Sequence, residues 1–253
     1  MHPYLIAAVL MCSLAGCDER AATKDAAPTT NYDASSSDGS VLVPDASERS
    51  ADASPADASP TDASMEPDAT PNLTMSFFAT STGSGVNGGD LGGLAGADAT
   101  CQNLATLAGG GARTWHAYLS TGVGPGVMVD ARDRIGTGPW RNQLGDVVAE
   151  SIGALHGNGL LADVIYTELG QLVPSNEHDI LTGSAVDGRL LDSDVTCNNW
   201  TDGTMNTQGQ VGHADIGPND EGESWNSQHS GSCDQASLMG NAGAGRLYCF
   251  AID

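Results

Sequence analysis

Four cysteines, Cys101, Cys197, Cys233 and Cys249, are spread over a stretch of chain with few long periodic segments of its own. That combination limits what the chain can become, because a domain short of regular structure needs staples. An even count in an exported domain argues for two disulfides, and four cysteines allow three pairings. The spacings are unlike those of a zinc site, since there is no C-x-x-C and no adjacent pair of histidines. Whether these thiols meet an oxidising compartment is decided at the other end of the chain.

Residues Tyr4 to Ala15 form an almost unbroken apolar run. It has the length of a signal-peptide core and is too short to cross a bilayer as a helix. It ends in Leu14-Ala15-Gly16-Cys17, which resembles the lipobox cut by lipoprotein signal peptidase. The small residues suit a protease cleft, and the Cys17 thiol would accept a diacylglycerol before cleavage. One departure from the usual pattern is an n-region with His2 and the amino terminus but no Lys or Arg. The expectation is a chain lipid-anchored to a membrane of the cell envelope, facing the periplasm or the exterior, with Cys12 lost along with the signal over residues 1–17. No later segment approaches the length of a membrane-spanning helix.

From residue 18 to 72 the composition changes. Asp-Ala-Ser recurs at 33–35, 45–47, 52–54, 57–59 and 62–64, with Pro55, Pro60, Pro67 and Pro71 nearby. These units carry no hydrophobic face, so they are no solenoid, and ordering them would cost entropy with nothing to offset it. The segment reads as a disordered tether that would reach roughly 40 Å as a flexible coil.

Residues 73–253 are the size of one domain. It carries six arginines and no lysine against twenty Asp and Glu, within a chain of net charge −23. With no basic stripe, nucleic acid is excluded as a partner; the acidity also serves solubility of an exported surface.

Periodicity marks four elements. Met75–Thr80 reads as a first strand. Leu94, Ala97, Cys101, Leu104, Ala105 and Ala108 recur at helical steps, and Gly109-Gly110-Gly111 stops that helix. Thr114–Ser120 alternates as a strand, and Leu247–Ile252 is a last, buried strand. Gly, Asn and Asp dominate what lies between, so the expected class is α+β with long loops.

The run Leu91–Cys101, with Gly92, Gly93 and Asp98 in it, resembles the helix-opening segment of the endostatin domain of collagens, and a group of bacterial lectin-like lipoprotein domains of unassigned function. Thr114–Ser120, Leu181-Thr182-Gly183-Ser184, Cys197-Asn198-Asn199-Trp200, Cys233 and Arg246-Leu247-Tyr248-Cys249 continue the likeness in order. The resemblance covers most of residues 73–253 and implies a C-type-lectin-like fold. It also implies the pairing Cys101–Cys249 and Cys197–Cys233.

Lectins of that fold grip sugars through calcium, whose shell of six to eight oxygens the sugar hydroxyls complete. The loop motifs they use are incomplete here. Trp225-Asn226-Ser227 ends in Ser where Asp is expected, and Pro174-Ser175-Asn176-Glu177 is not the companion motif. The acidic loop still offers Asp220, Glu221 and Glu223 as calcium ligands, though a solvated loop is the simpler account. Trp200, Trp225 and Asn226 are candidates for a ligand platform, weighed against Trp200 and Trp225 packing inside the fold. The heparin and zinc binding of endostatin do not carry over, because the arginines are scattered and no histidine lies between Cys17 and His116. His116 and His156 read as satisfied polar residues. His178, His213 and His229 lie in loop-like segments, where a zinc site is open with little in the sequence to support it. With no Gly-x-Ser-x-Gly and no His-Glu-x-x-His, no catalytic residue and no resident cofactor is expected.

The expected function is that of a non-catalytic envelope lipoprotein presenting a lectin-like domain to carbohydrate or protein. The alternatives are a structural or matrix-associating envelope protein and a calcium-dependent lectin.

Overall fold

The computed structural model describes residues 74–122, 128–157, 159–220 and 222–253. Cys17, where lipidation is expected, and residues 18–72, read above as a tether, lie outside the described residues, as does Glu221.

The domain is mixed α+β. A three-stranded antiparallel sheet, in the order β1-β9-β2, joins β1 (Phe77–Ala79), β2 (Trp115–Ala117) and β9 (Tyr248–Ala251). The last strand is thus the middle one, which is why its run Tyr-Cys-Phe-Ala can be apolar throughout. Alternation sends its residues to opposite sides. Tyr248 and Phe250 enter one core with Phe77, Tyr118, Trp140 and Trp225, while Cys249 and Ala251 enter a second with Phe78, Trp115 and Trp200. With both faces of the sheet covered, β1 and β9 carry apolar residues on both sides, and only β2 presents a polar one, His116.

The long helix α1 (Gly93–Leu107) lies on the second core through Ala97, Cys101 and Ala105. The small side chains let it approach β2 closely. Asp98 on α1 accepts from the Ala117 amide at 2.9 Å and, through both carboxylate oxygens, from Arg134 Nη2 at 2.7 and 2.8 Å, while Arg134 Nη1 donates to Ala117 O. Helix, strand and the segment after β2 are therefore tied at one carboxylate.

Both disulfides are present. Cys101–Cys249 ties α1 to β9 with Cα atoms 5.5 Å apart, and Cys197–Cys233 spans 5.7 Å. The second begins in α3 (Cys197–Trp200), a single turn in which all four residues have positive φ, from 48° to 64°. Left-handed turns cost L-residues roughly 1–2 kcal/mol each. The turn is held by the crosslink, by Thr196 Oγ1 accepting from the Asn199 amide at 3.1 Å and by Trp200 buried in the core.

The remaining elements frame the candidate site. A hairpin pairs β3 (Trp140–Arg141) with β4 (Val147–Ala149), followed by the short helix α2 (Ile152–Leu155), capped by Ser151. A four-stranded sheet, β7-β6-β5-β8, is built from β5 (Asp179–Leu181), β6 (Gln208–His213), β7 (His229–Ser232) and β8 (Gly243–Arg246). Only β5 and β8 run parallel. Helix α4 (Gln235–Gly240), capped by Asp234, connects β7 to β8. Among the described residues, no helix is long and apolar enough to cross a membrane.

Candidate functional site

Two features at the same end of the four-stranded sheet can engage a ligand. One is a cleft of about 510 Å³ whose walls include His156, Val186, Ile216, Glu223, Trp225 and Asn226. Its floor is fixed by a hydrogen-bonded relay. The His156 ring binds Ile152 O through Nδ1 at 2.9 Å, so Nδ1 carries the proton and Nε2 accepts from Tyr118 OH at 2.7 Å. Asn226 Nδ2 in turn donates to that phenol oxygen at 2.9 Å and to Ala185 O at 3.0 Å. Burial pushes the Tyr118 phenol far up and holds His156 below its ordinary value. The relay is thus neutral and rigid. Gly188, at φ +80°, seals it, since a Cβ there would sit 2.2 Å from His156 Nε2. A second cleft, of about 400 Å³, is walled by Thr82, Ser84, Asp90 and Thr100 and shares no residue with the first.

The other feature is a cluster of histidines around one carboxylate. Strand register builds it. Asp179 opens β5 opposite His213 at the end of β6, and His229 opens β7 opposite Val211. Since Val211 and His213 point to the same face, Asp179, His213 and His229 share that face. His178, one residue before β5, comes round to it as well. His213 Nε2 and His178 Nε2 lie 3.2 and 3.4 Å from Asp179 Oδ1, and His229 Nε2 lies 3.2 Å from Oδ2. Ligand atoms of Asp179, His213 and His229 fall within 4.8 Å of one another, and so do those of His178, His213 and Asp215. His/Asp groups able to hold a metal ion are therefore present, joined at His213.

Asp179 is only 3% exposed. Burial pushes its carboxyl up against the pull of His229, His213 and His178, and burial pushes His213 down. Both shifts favour the neutral form, as expected of a buried acid and base lacking a full counter-charge.

The three candidate platform residues are all buried. Trp200 is fully buried beside both disulfides, with its indole donating to Ser120 O at 2.8 Å. Trp225 is 4% exposed and donates to Leu155 O at 2.9 Å, while Asn226 is fully buried in the relay. In this conformation none of the three offers an open face for stacking; Trp225 and Asn226 form cleft floor instead. The large rings were needed more by the two cores than by the surface. Of the acidic loop, Asp220 and Glu223 are exposed, Asp220 Oδ2 accepts from the Gly217 amide at 2.7 Å, and neither belongs to the His/Asp groups. His116, like His156, is hydrogen-bonded within the fold, through Nδ1 to Arg134 O at 3.0 Å. The convergence of His178, His213 and His229 on Asp179 is what residue spacing did not reveal. The alternation Val211-Gly212-His213, read as a strand, would have been the available signal.

Neither any protein-family model nor any curated protein matches the chain.

Proposed function

We propose that the chain is a non-catalytic binding module of the cell envelope, held by a lipid on Cys17, and that the 510 Å³ cleft is where it receives a carbohydrate or an extended stretch of protein. The observation that carries this reading is the contrast between floor and rim. The floor groups His156 and Asn226 are already bonded to the buried Tyr118 behind them and cannot rearrange cheaply. Rim residues Val186, Asp220 and Glu223 are exposed and free to meet a ligand. A preformed concave site with a few polar groups around it is the usual form of a binding site, and a rigid floor lowers the ordering cost of binding.

Glycan-array and envelope pull-down experiments, each with and without calcium, test it. Retention of a glycan or protein by the wild type, lost in a Val186→Trp variant that fills the cleft from its exposed wall, is the expected result. Flat arrays, with envelope proteins retained equally by both forms, favour a structural envelope protein instead. Retention that vanishes when calcium is chelated favours the calcium-dependent lectin.

A further inference from the structure

We propose that Asp179, His213 and His229 bind a divalent transition-metal cation of the zinc class, with His178 and Asp215, which share His213 in a second such group, beside them. The argument begins with what these groups do without such an ion. His178 Nδ1 lies 2.6 Å from Ser175 O, so that nitrogen carries the proton and donates it. In the neutral ring its Nε2 offers a lone pair, 3.4 Å from a carboxylate oxygen. Asp179 Oδ1 and His213 Nε2 are both buried, and although they are 3.2 Å apart neither has a hydrogen-bond partner. Buried polar atoms in native folds are nearly always bonded, and an unsatisfied one costs about 1–3 kcal/mol. Two orphaned atoms facing one another, at a point where further lone pairs converge, are groups that a bound cation would satisfy.

The donors specify which cation. Imidazole nitrogen with a single carboxylate suits zinc, copper or nickel, whereas calcium takes six to eight oxygens. Zinc bonds of about 2.0–2.1 Å in a tetrahedron separate the donors by about 3.3–3.4 Å. Here His213 Nε2 lies 3.2 Å from Asp179 Oδ1 and His229 Nε2 lies 3.2 Å from Oδ2, close to that spacing. The three rings also stand nearly edge-to-face, at 84° and 75° between neighbours, so their nitrogens approach from different directions instead of stacking. The Ser175 carbonyl that fixes the His178 tautomer is the kind of outer partner that orients metal-ligating histidines.

Position gives the site a role. The ion would fasten the start of β5 to the end of β6 and the start of β7. Between those last two strands runs the loop 214–228 that walls the cleft, and it is joined to the cluster by His213 N donating to Ser224 O at 3.2 Å and Ala214 N to His178 O at 2.8 Å. The site is independent of whether the cleft takes a ligand.

The test uses the full chain, without a polyhistidine tag, carrying Cys12→Ser and Cys17→Ser so that no free thiol competes. Zinc binding to metal-stripped protein is followed by calorimetry and by thermal unfolding. One zinc per chain, a raised Tm, and indifference to millimolar calcium are expected. His213→Ala and the more exposed His229→Ala should each weaken zinc by at least about 100-fold, and their metal-free Tm values show whether they are folded. No uptake by the wild type, equal uptake by folded variants, or displacement of zinc by calcium overturns the proposal.

Discussion

At the scale of single residues, the domain works by leaving few polar groups to chance inside two aromatic cores. Tyr118, His156 and Asn226 meet in the first core and satisfy one another with no charge. That neutrality has a measurable consequence. His156 is held below its ordinary value of 6.5, first by burial and then by Arg132, with the Ile152 carbonyl and Asp187 opposing. Between the folded pKa and 6.5 the unfolded chain takes up a proton that the folded chain refuses. Stability is therefore complete above pH 6.5 and declines as pH falls through that window. Urea midpoints measured from pH 8 to pH 5 should fall on the acid side. In His156→Gln, which keeps an amide able to bond Tyr118, that decline should be shallower although the midpoint at pH 8 is lower. An identical decline in both proteins would take His156 out of the account. Residue scale also shows why the sequence left the tryptophans open between a ligand platform and packing inside the fold. Composition says that Trp200 and Trp225 are large and can stack, but not which face of an element they occupy. A fold with so few large side chains spends them on its cores.

At the scale of elements, legibility follows hydrophobic pattern closely. Helix α1 was readable because its small and apolar residues recur every three or four positions, and β9 because it is apolar throughout. Strands β6, β7 and β8 read Gln-Gly-Gln-Val-Gly-His, His-Ser-Gly-Ser and Gly-Ala-Gly-Arg. Backbone pairing and glycine-close packing hold them, and neither leaves an alternating apolar signature. A Cβ on Gly209 would lie 2.8 Å from Cys197 Sγ, and one on Gly212 would lie 2.0 Å from Trp225 O. The histidine cluster sits on these silent strands, so it could not be assembled from spacing alone. The same sparseness makes the crosslinks matter. Chain-entropy estimates for separations of 148 and 36 residues are about 5 and about 4 kcal/mol. Paired Cys→Ala replacement at either bridge should lower unfolding free energy by about 2–5 kcal/mol. Losing Cys197–Cys233 should also loosen the left-handed turn Cys197–Trp200, seen as faster amide exchange at Trp200 and Thr201, whose amides bond to Thr196 O and Cys197 O. Unchanged exchange there would mean that Trp200 packing alone holds the turn.

For the whole molecule, net charge decides what could hold the chain at a membrane. A chain of net charge −23 is repelled by anionic lipid headgroups, so electrostatics cannot keep it at a membrane. If it resides there, a covalent anchor must hold it, and one acyl chain gives only marginal, reversible binding. The lipobox-like Leu14-Ala15-Gly16-Cys17 supplies the residue that can carry a diacylglycerol, with a further acyl chain on its amine. Replacing Cys17 therefore separates anchoring from folding. In a bacterial host that processes lipoproteins, the wild type should incorporate labelled palmitate and sediment with membranes even in 1 M salt, conditions under which charge-bound proteins leave. Cys17→Ser should incorporate none and appear in the soluble fraction with the same two disulfides and the same urea midpoint. Palmitate incorporation that survives the substitution, or membrane association that salt releases, would remove the lipid from the scheme and leave the domain's surface to account for its location.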